Sequence, residues 1–269
     1  MDISSVMGLI IGLVGLLGGY LYEAKFNVAL LIELFQPSAI LIVFGGTIGC
    51  LLVSYPMTEI KRIPSLLQLV FKQKQYNEID IINNLADLSE KARKDGLLSL
   101  EQDAQTNENE LIRKGLALVV DGIETEVIKD ILVRESYLHE SQFEAGAKIF
   151  ESAGGYSPTM GVLGTVMGMV SILKDLSNPD ELGPKISVAF VATLYGVMFA
   201  NLFWIAFATK IKVKAEREKM ISDLIIEGLL SIQAGENPRI IKEKLNLTLL
   251  EKMNKKGGEK APEAAESEE

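Results

Sequence analysis

Thr159 and Thr165 stand in one long uncharged stretch of this chain, residues 155–173, and Ser187, Thr193 and Asn201 in a second, residues 186–209. Hydroxyl and amide groups in such surroundings gain nothing by facing lipid. They suit a contact with another helix or the wall of a wet path. What they can do is pass hydrogen bonds; what they cannot do is titrate. Proton relays across membranes ordinarily use ionisable side chains, yet no Asp, Glu, His, Lys or Arg occurs in residues 3–22, 37–55, 155–173 or 186–209. This chain therefore cannot carry protons alone.

Each of those four runs approaches the roughly 20 apolar residues that a membrane-crossing helix needs. The fold class they predict is all-α: a polytopic membrane protein with four transmembrane helices and a helical cytoplasmic domain. Residues 3–22 are not a secretory signal, because Met1-Asp2 supplies no basic region and the run is too long. Gly8, Gly12, Gly15 and Gly19 share one helical face there and predict close approach by a neighbour's backbone. Pro37 opens the second helix, and Gly45, Gly46 and Gly49 thin it. In the third, Gly161, Thr165, Gly168 and Ile172 fall on one face; in the fourth, Ala189, Thr193, Gly196 and Ala200 do. Together they form one thin, partly hydroxylated wall. Gly154-Gly155 reads as a hinge, and Pro158 removes a backbone donor that would otherwise hold the helix straight.

Charge is kept apart from these runs. The chain is 48% apolar and 23% charged, so it combines membrane and water-exposed parts. Its net charge of −9 makes nucleic acid an unsuitable partner. The single Cys50 excludes an internal disulfide. Phosphate-binding loops, zinc patterns and nucleophile elbows are missing, so no catalytic residue, metal ligand or cofactor site is expected. His139 reads as a solvated surface residue. Lys61, Arg62, Lys72 and Lys74 follow the second run, and Lys210, Lys212, Lys214, Arg217 and Lys219 follow the fourth. The positive-inside rule puts both clusters, and hence both termini, in the cytoplasm. Trp204 and Phe207 suit the adjoining interface belt. The expected division is 1–55 membrane, 56–152 cytoplasmic, 153–209 membrane, 210–256 cytoplasmic helices and 257–269 a disordered tail.

Between the second and third runs the patterning is helical. Ile81, Leu85, Leu88 and Ala92 share a face, and Gly96 stops that helix. A short apolar helix around 115–120 follows. Val127, Ile131 and Leu138 then form a stripe leading to Phe143, Ala147 and Phe150. These stripes predict a small bundle that includes the C-terminal helices. Arg93 and Glu101 flank the Gly96 break as solvated charges. Asn237-Pro238 starts a further helix with a good cap and a first-turn proline.

The segments Arg93-Lys94-Asp95-Gly96-Leu97-Leu98-Ser99-Leu100-Glu101, Ser157-Pro158-Thr159-Met160-Gly161, Gly164-Thr165-Val166-Met167-Gly168, Ala192-Thr193-Leu194-Tyr195-Gly196 and Gly235-Glu236-Asn237-Pro238-Arg239 occur in this four-helix frame. In combination the chain closely resembles the A subunit of the bacterial flagellar stator, the MotA/PomA type, over nearly its whole length. That resemblance implies a multi-pass protein of the cytoplasmic (inner) membrane that surrounds a dimer of B subunits as a pentameric ring of itself. Each B subunit has a single transmembrane helix carrying an aspartate. The assembly conducts ions and turns the flagellar rotor through its switch protein. Related energisers of outer-membrane systems, the ExbB/TolQ type, share the core hairpin, and a non-conducting membrane scaffold also fits the lack of ionisable residues. By resemblance Thr165 and Thr193 line the ion path, Pro158 and Pro238 couple ion movement to shape, and Arg93 and Glu101 meet the rotor. Thr165 leans toward Na+ as the coupling ion, whereas Gln36-Pro37 resembles the H+-driven sequences.

Overall fold

The computed structural model describes residues 2–72, 77–174 and 179–258, the backbone alone for 179–181 and 252–258, and among the described residues every regular element is helical. Lys74, the middle of the 174–185 loop and the tail from residue 259 lie outside the described residues; Gly257 and Gly258 close the last helix. The order is α1 (Ile3–Glu23), α2 (Ala29–Glu33), α3 (Pro37–Ile40), a π-helical turn (Leu41–Gly45), α4 (Gly46–Ser54), α5 (Met57–Ile60) and α6 (Ile63–Phe71). Then come α7 (Glu78–Asp95), a 3-10 turn (Leu97–Leu100), α8 (Glu101–Thr106), α9 (Glu110–Val120) and α10 (Thr125–Lys174). α11 (Pro179–Phe199), a second π-helical turn (Ala200–Ile205), α12 (Ala206–Gln233) and α13 (Pro238–Gly258) complete the chain.

Among the described residues four stretches are long and apolar enough to cross a membrane, and they contain the four predicted runs except for Tyr55, which lies just past the second. α10 has 50 residues, which at 1.5 Å each extend about 75 Å. A hydrocarbon core is about 30 Å thick, so much of α10 must lie outside it. Neither Gly154-Gly155 nor Pro158 interrupts this helix. The described residues within 2–72 and 142–214 form one compact unit, and those within 77–141 and 215–258 a second.

In the first unit, Leu66 and Val70 of α6, Phe150 of α10, and Phe207 and Ile211 of α12 make one buried cluster. Phe207 meets Phe71 edge-on at 5.7 Å and Phe150 at 6.3 Å. It is a core residue, not the interface residue predicted, because the chain supplies aromatic partners on both sides. Tyr55 Oη bonds Ser152 Oγ at 2.7 Å, and Ser54 Oγ bonds Tyr156 Oη at 2.9 Å, tying the end of α4 to α10. The glycine row of α1 behaves differently from expectation. Gly12 faces the Leu202 side chain, but a Cβ on Gly8, Gly15 or Gly19 would meet nothing within 4 Å. No residue of α1 is buried.

The second unit is a helical bundle. Ile82, Leu85 and Leu88 of α7, Ile112 and Leu116 of α9, Leu224 and Leu229 of α12, and Ile241 and Leu245 of α13 share its core. From α10 the core takes Ile128 and Leu132, whereas Val127 and Leu138 of the predicted stripe are exposed. Residues 127, 128, 131, 132 and 133 are all apolar, so two faces about 100° apart compete for the core. The Ile128/Leu132 pair wins it.

The first helix is anchored by a buried carboxylate. Asp2 caps α1 by accepting from Ser4 Oγ at 2.7 Å and Ser5 N at 3.4 Å. It also lies 2.9 Å from Lys210 Nζ and 3.2 Å from Lys214 Nζ. Lys214 in turn donates to the carbonyls of Leu69 (2.8 Å), Val70 (3.0 Å) and Lys72 (2.8 Å), closing the end of α6. Burial alone would raise the Asp2 pKa, but hydrogen bonds from Lys210, Ser4 and Lys214 and the Lys210 charge outweigh it and hold the carboxyl far below its ordinary 3.8. A depressed folded-state pKa stabilises fully above the unfolded value and loses that stabilisation as pH falls through the folded one. The thermal midpoint of the detergent-solubilised protein should therefore owe a fixed increment to Asp2 above about pH 5 and lose it progressively in acid. Asp2→Asn should lower stability by about 2 kcal/mol at neutral pH and flatten the acid limb. Parallel acid limbs in the two proteins would show that this carboxylate does not carry the effect.

Candidate functional site

α10 and α11 touch backbone to backbone. A Cβ on Gly161 would lie 2.8 Å from Ala192 O and 3.1 Å from Thr193 Cα, and one on Gly196 would lie 2.7 Å from Ser157 O and 3.1 Å from Gly161 Cα. Only residues without a Cβ fit at such a crossing. Further along, Gly164 meets the Ala192 methyl and Gly168 the Ala189 methyl. The two predicted thin faces are therefore in contact with each other.

That approach joins their hydroxyls. Thr165 and Thr193 are hydrogen-bonded to each other through their side chains. Thr165 Oγ1 donates across the crossing to Ala189 O at 3.0 Å and lies 3.2 Å from Gly161 O; Thr193 Oγ1 reaches Gly161 O at 3.3 Å. Each hydroxyl has one proton and two acceptor lone pairs, so two protons are shared among more acceptors than they can fill at once. The cluster can exchange donor and acceptor roles by rotating two bonds. Neutral oxygens of this kind can bond a water or an acid, or turn lone pairs to a hard cation. Both threonines are half-buried, and the neighbouring Val162, Val166, Leu194 and Val197 are exposed. Thr159 and Asn201 bond carbonyls of their own helices, at Tyr156 and Val197, and do not join the cluster.

Pro158 sits one turn from Gly161, within 3.2 Å of where a Gly196 Cβ would be. Its missing N–H leaves the carbonyl of Gly154 without its helical donor. Ser157 beside it is fully buried, and its hydroxyl has no hydrogen-bond partner among the described residues. Sequence reasoning passed over Ser157, because a small residue in a glycine-rich helix looks like packing. The signal was its adjacency to a proline that already frees a polar group.

The remaining candidates lie in the second unit. Gly96, at φ +81°, ends α7 in a conformation that disfavours other residues. Leu100 is fully buried behind the turn, Ser99 Oγ donates to Gly96 O at 2.6 Å, and Lys91 pairs with Asp103 at 2.7 Å. On this fixed turn Arg93 and Glu101 are both exposed, and neither makes an ion pair among the described residues. Next to them, a hydrogen bond from Lys94 lowers the Glu90 pKa, and the same bond raises that of Lys94. Pro238 opens α13 after Asn237, whose Oδ1 accepts from Arg239 N at 3.0 Å, and Ser89 Oγ of α7 donates to Glu236 O at 3.0 Å. The structure thus brings Thr165, Thr193 and Pro158 together, sets Arg93 and Glu101 about one turn, and places Pro238 beside the helix that bears Arg93. His139 is more than a solvated residue: its Nδ1 lies 3.3 Å from Glu218.

These features define a polytopic α-helical membrane protein with a hydroxylated helix crossing inside its spans and a helical bundle outside them. Residues 6–96 match the model of the motility protein A N-terminal region, and residues 103–224 that of the MotA/TolQ/ExbB proton channel family. Motility protein A of Bacillus subtilis (strain 168) is 39% identical over 93% of this chain and 91% of its own length. Among solved structures, the flagellar MotAB stator complex from Bacillus subtilis contains a chain that superposes with a TM-score of 0.85 at 37% identity, covering 96% of this chain and 100% of that one. The C. jejuni MotAB structure gives 0.86 at 27%, covering 99% and 100%. The chain belongs to the motility protein A group of the MotA/TolQ/ExbB proton channel family.

Because the crossing rests on backbone contact, Gly196→Ala should lower the stability of the solubilised protein by about 1–3 kcal/mol. Gly155→Ala, on the same pair of helices but with nothing within 4 Å of its Cβ position, should be neutral or slightly stabilising. Thermal midpoints of the two variants compare these directly, and equal losses would mean that the crossing is not tight.

Proposed function

We propose that this chain is the A subunit of a bacterial flagellar stator, which with a B subunit passes ions across the cytoplasmic membrane and converts the ion-motive force into torque on the rotor. The observation that carries this reading is the Thr165–Thr193 hydroxyl pair, held at a glycine crossing of spans that contain no ionisable residue. A path so built needs a charge carrier from outside the chain. A B-type partner, with one membrane helix and an aspartate, supplies it. The relatives solved as MotAB stator complexes support such a partner. The open Cβ positions of Gly8 and Gly19 in α1 and the exposed apolar edges beside the threonines are consistent with further helices, from the partner and from copies of this chain in a pentameric ring.

In this arrangement residues 1–55 and 153–209 belong to the membrane part and 56–152 and 210–256 to the cytoplasm, with both termini inside, as the lysine and arginine clusters favour. Pro158 and Pro238 couple ion passage to shape, and Arg93 and Glu101 meet the rotor's switch protein. The proton is the coupling ion favoured here, on the family's description as proton channels and on Gln36-Pro37; Thr165 is the feature that speaks for sodium.

Two experiments test this reading in a motile host lacking its own stator. Thr193→Ala removes one hydroxyl at a packing cost of about 1 kcal/mol, so the complex should reach the membrane in normal amount while most swimming speed is lost. Speed should not vary with sodium at fixed pH; a rise with sodium that Thr165→Ala abolishes would reverse the ion assignment. Arg93→Glu and Glu101→Lys alter exposed charges worth about 0–1 kcal/mol to the fold. Torque should fall in both with ion flux unchanged, and a compensating reversal on the rotor should partly restore it. Loss of flux together with torque would place the two charges in the fold or channel instead.

A further inference from the structure

Where α4 ends, the first unit encloses a cavity of about 260 Å³ lined entirely by apolar side chains. Its walls are Leu51 and Leu52 of α4, Ile60 at the end of α5, Ile63 at the start of α6, Ala153 of α10, and Trp204 in the second π-helical turn. Leu51 and Ala153 are almost completely buried, and the Ser54–Tyr156 and Tyr55–Ser152 bonds brace the two long sides. The space is thus preformed rather than a flat face. An apolar cavity of about 150 Å³ already stays dry and takes benzene, so this one accommodates a larger hydrocarbon.

Depth and charge identify the hydrocarbon. Tyr55, Tyr156 and Trp204 border a position at the end of a membrane span, where amphipathic aromatic rings mark the headgroup level. Lys61 directly follows Ile60, is exposed, and makes no ion pair among the described residues, whereas Arg62 is engaged by Glu59 at 2.8 Å. Dry walls, with an exposed lysine one residue along the chain from the wall residue Ile60, match an acyl chain and a phosphate. We propose that this cavity holds one acyl chain of an anionic phospholipid whose headgroup sits at Lys61. A bound chain would fill the wedge between α4, α5 and α10, so the lipid acts as a structural ligand of the elbow that follows Pro56.

Trp204 is the only tryptophan of this chain, and it stands on the cavity wall as a reporter. The assembled complex is reconstituted in vesicles containing phosphatidylglycerol brominated on its acyl chains, with the Trp204→Phe complex subtracted as background. Expected is strong quenching of Trp204, reaching its half-point at a mole fraction about fivefold lower with phosphatidylglycerol than with brominated phosphatidylcholine, the preference one surface lysine confers. Ala153→Leu should reduce the quenching by filling the space, and Lys61→Glu, a surface change that leaves the core intact, should abolish the headgroup preference. No quenching in the unaltered complex overturns the proposal. Unaltered quenching in Ala153→Leu, or a headgroup preference that survives Lys61→Glu, also overturns it.

Discussion

The contact between the backbones of Gly161 and Gly196 is what the rest of the membrane site depends on. The bond from Thr165 to Ala189 O crosses from one helix to the other at 3.0 Å, a reach available only because no Cβ separates the axes. Gly164 against Ala192 and Gly168 against Ala189 extend the same spacing. In lipid there is no hydrophobic drive to bring helices together, so association rests on such close packing and on interhelical hydrogen bonds worth about 0.6 kcal/mol on average. The hydroxyl pair adds little to that sum. Its placement is a product of the crossing rather than its cause.

The spans were legible because uncharged runs of membrane length have few alternative readings, and the small residues of α10 and α11 lay at spacings that named the contact faces. Gly96 and Asn237-Pro238 were legible through backbone chemistry that few other residues supply. The stripe of α10 was misread where apolar residues crowd: Val127 and Leu138 point away from a core that takes Ile128 and Leu132. Periodicity names a face only when one face is apolar. The glycines of α1 show the converse limit, since a thin face says that a neighbour can approach but not whether this chain provides it.

No residue pattern announced the two π-helical turns, Leu41–Gly45 and Ala200–Ile205. Each inserts the equivalent of one extra residue into its helix, so the faces beyond it are displaced by about 100°. The second begins one turn after Gly196. Beyond it Phe207, Ala208 and Ile211 turn into the aromatic cluster of the first unit, whereas a uniform helix would carry the Thr193 and Gly196 face onward in a different direction. Phe207 was assigned to the membrane interface on composition and its place after the span, which do not reveal the aromatic partners that bury it. Interruptions of this kind often coincide with functional positions, and this one lies against Gly154, whose Cβ would come within 2.6 Å of Ile205 Cγ1.

Neutrality of the wall has a physical advantage in the proposed complex. A partner carboxylate that must alternate between charged and neutral forms is sensitive to any fixed charge nearby. One unit charge at 4 Å contributes about 4 kcal/mol at an effective dielectric near 20, which is about three pKa units. A lysine in the span would trap the acid ionised, and a second carboxylate would trap it protonated. Threonine does neither, because its hydroxyl donates to a carboxylate and accepts from the acid with a rotation of one bond. Thr165 and Thr193 can exchange these roles with each other, with the Gly161 and Ala189 carbonyls as further acceptors. In the proposed complex the lack of ionisable residues in the spans and the presence of this pair would be two parts of one requirement: both states of a borrowed acid must be served at nearly equal free energy.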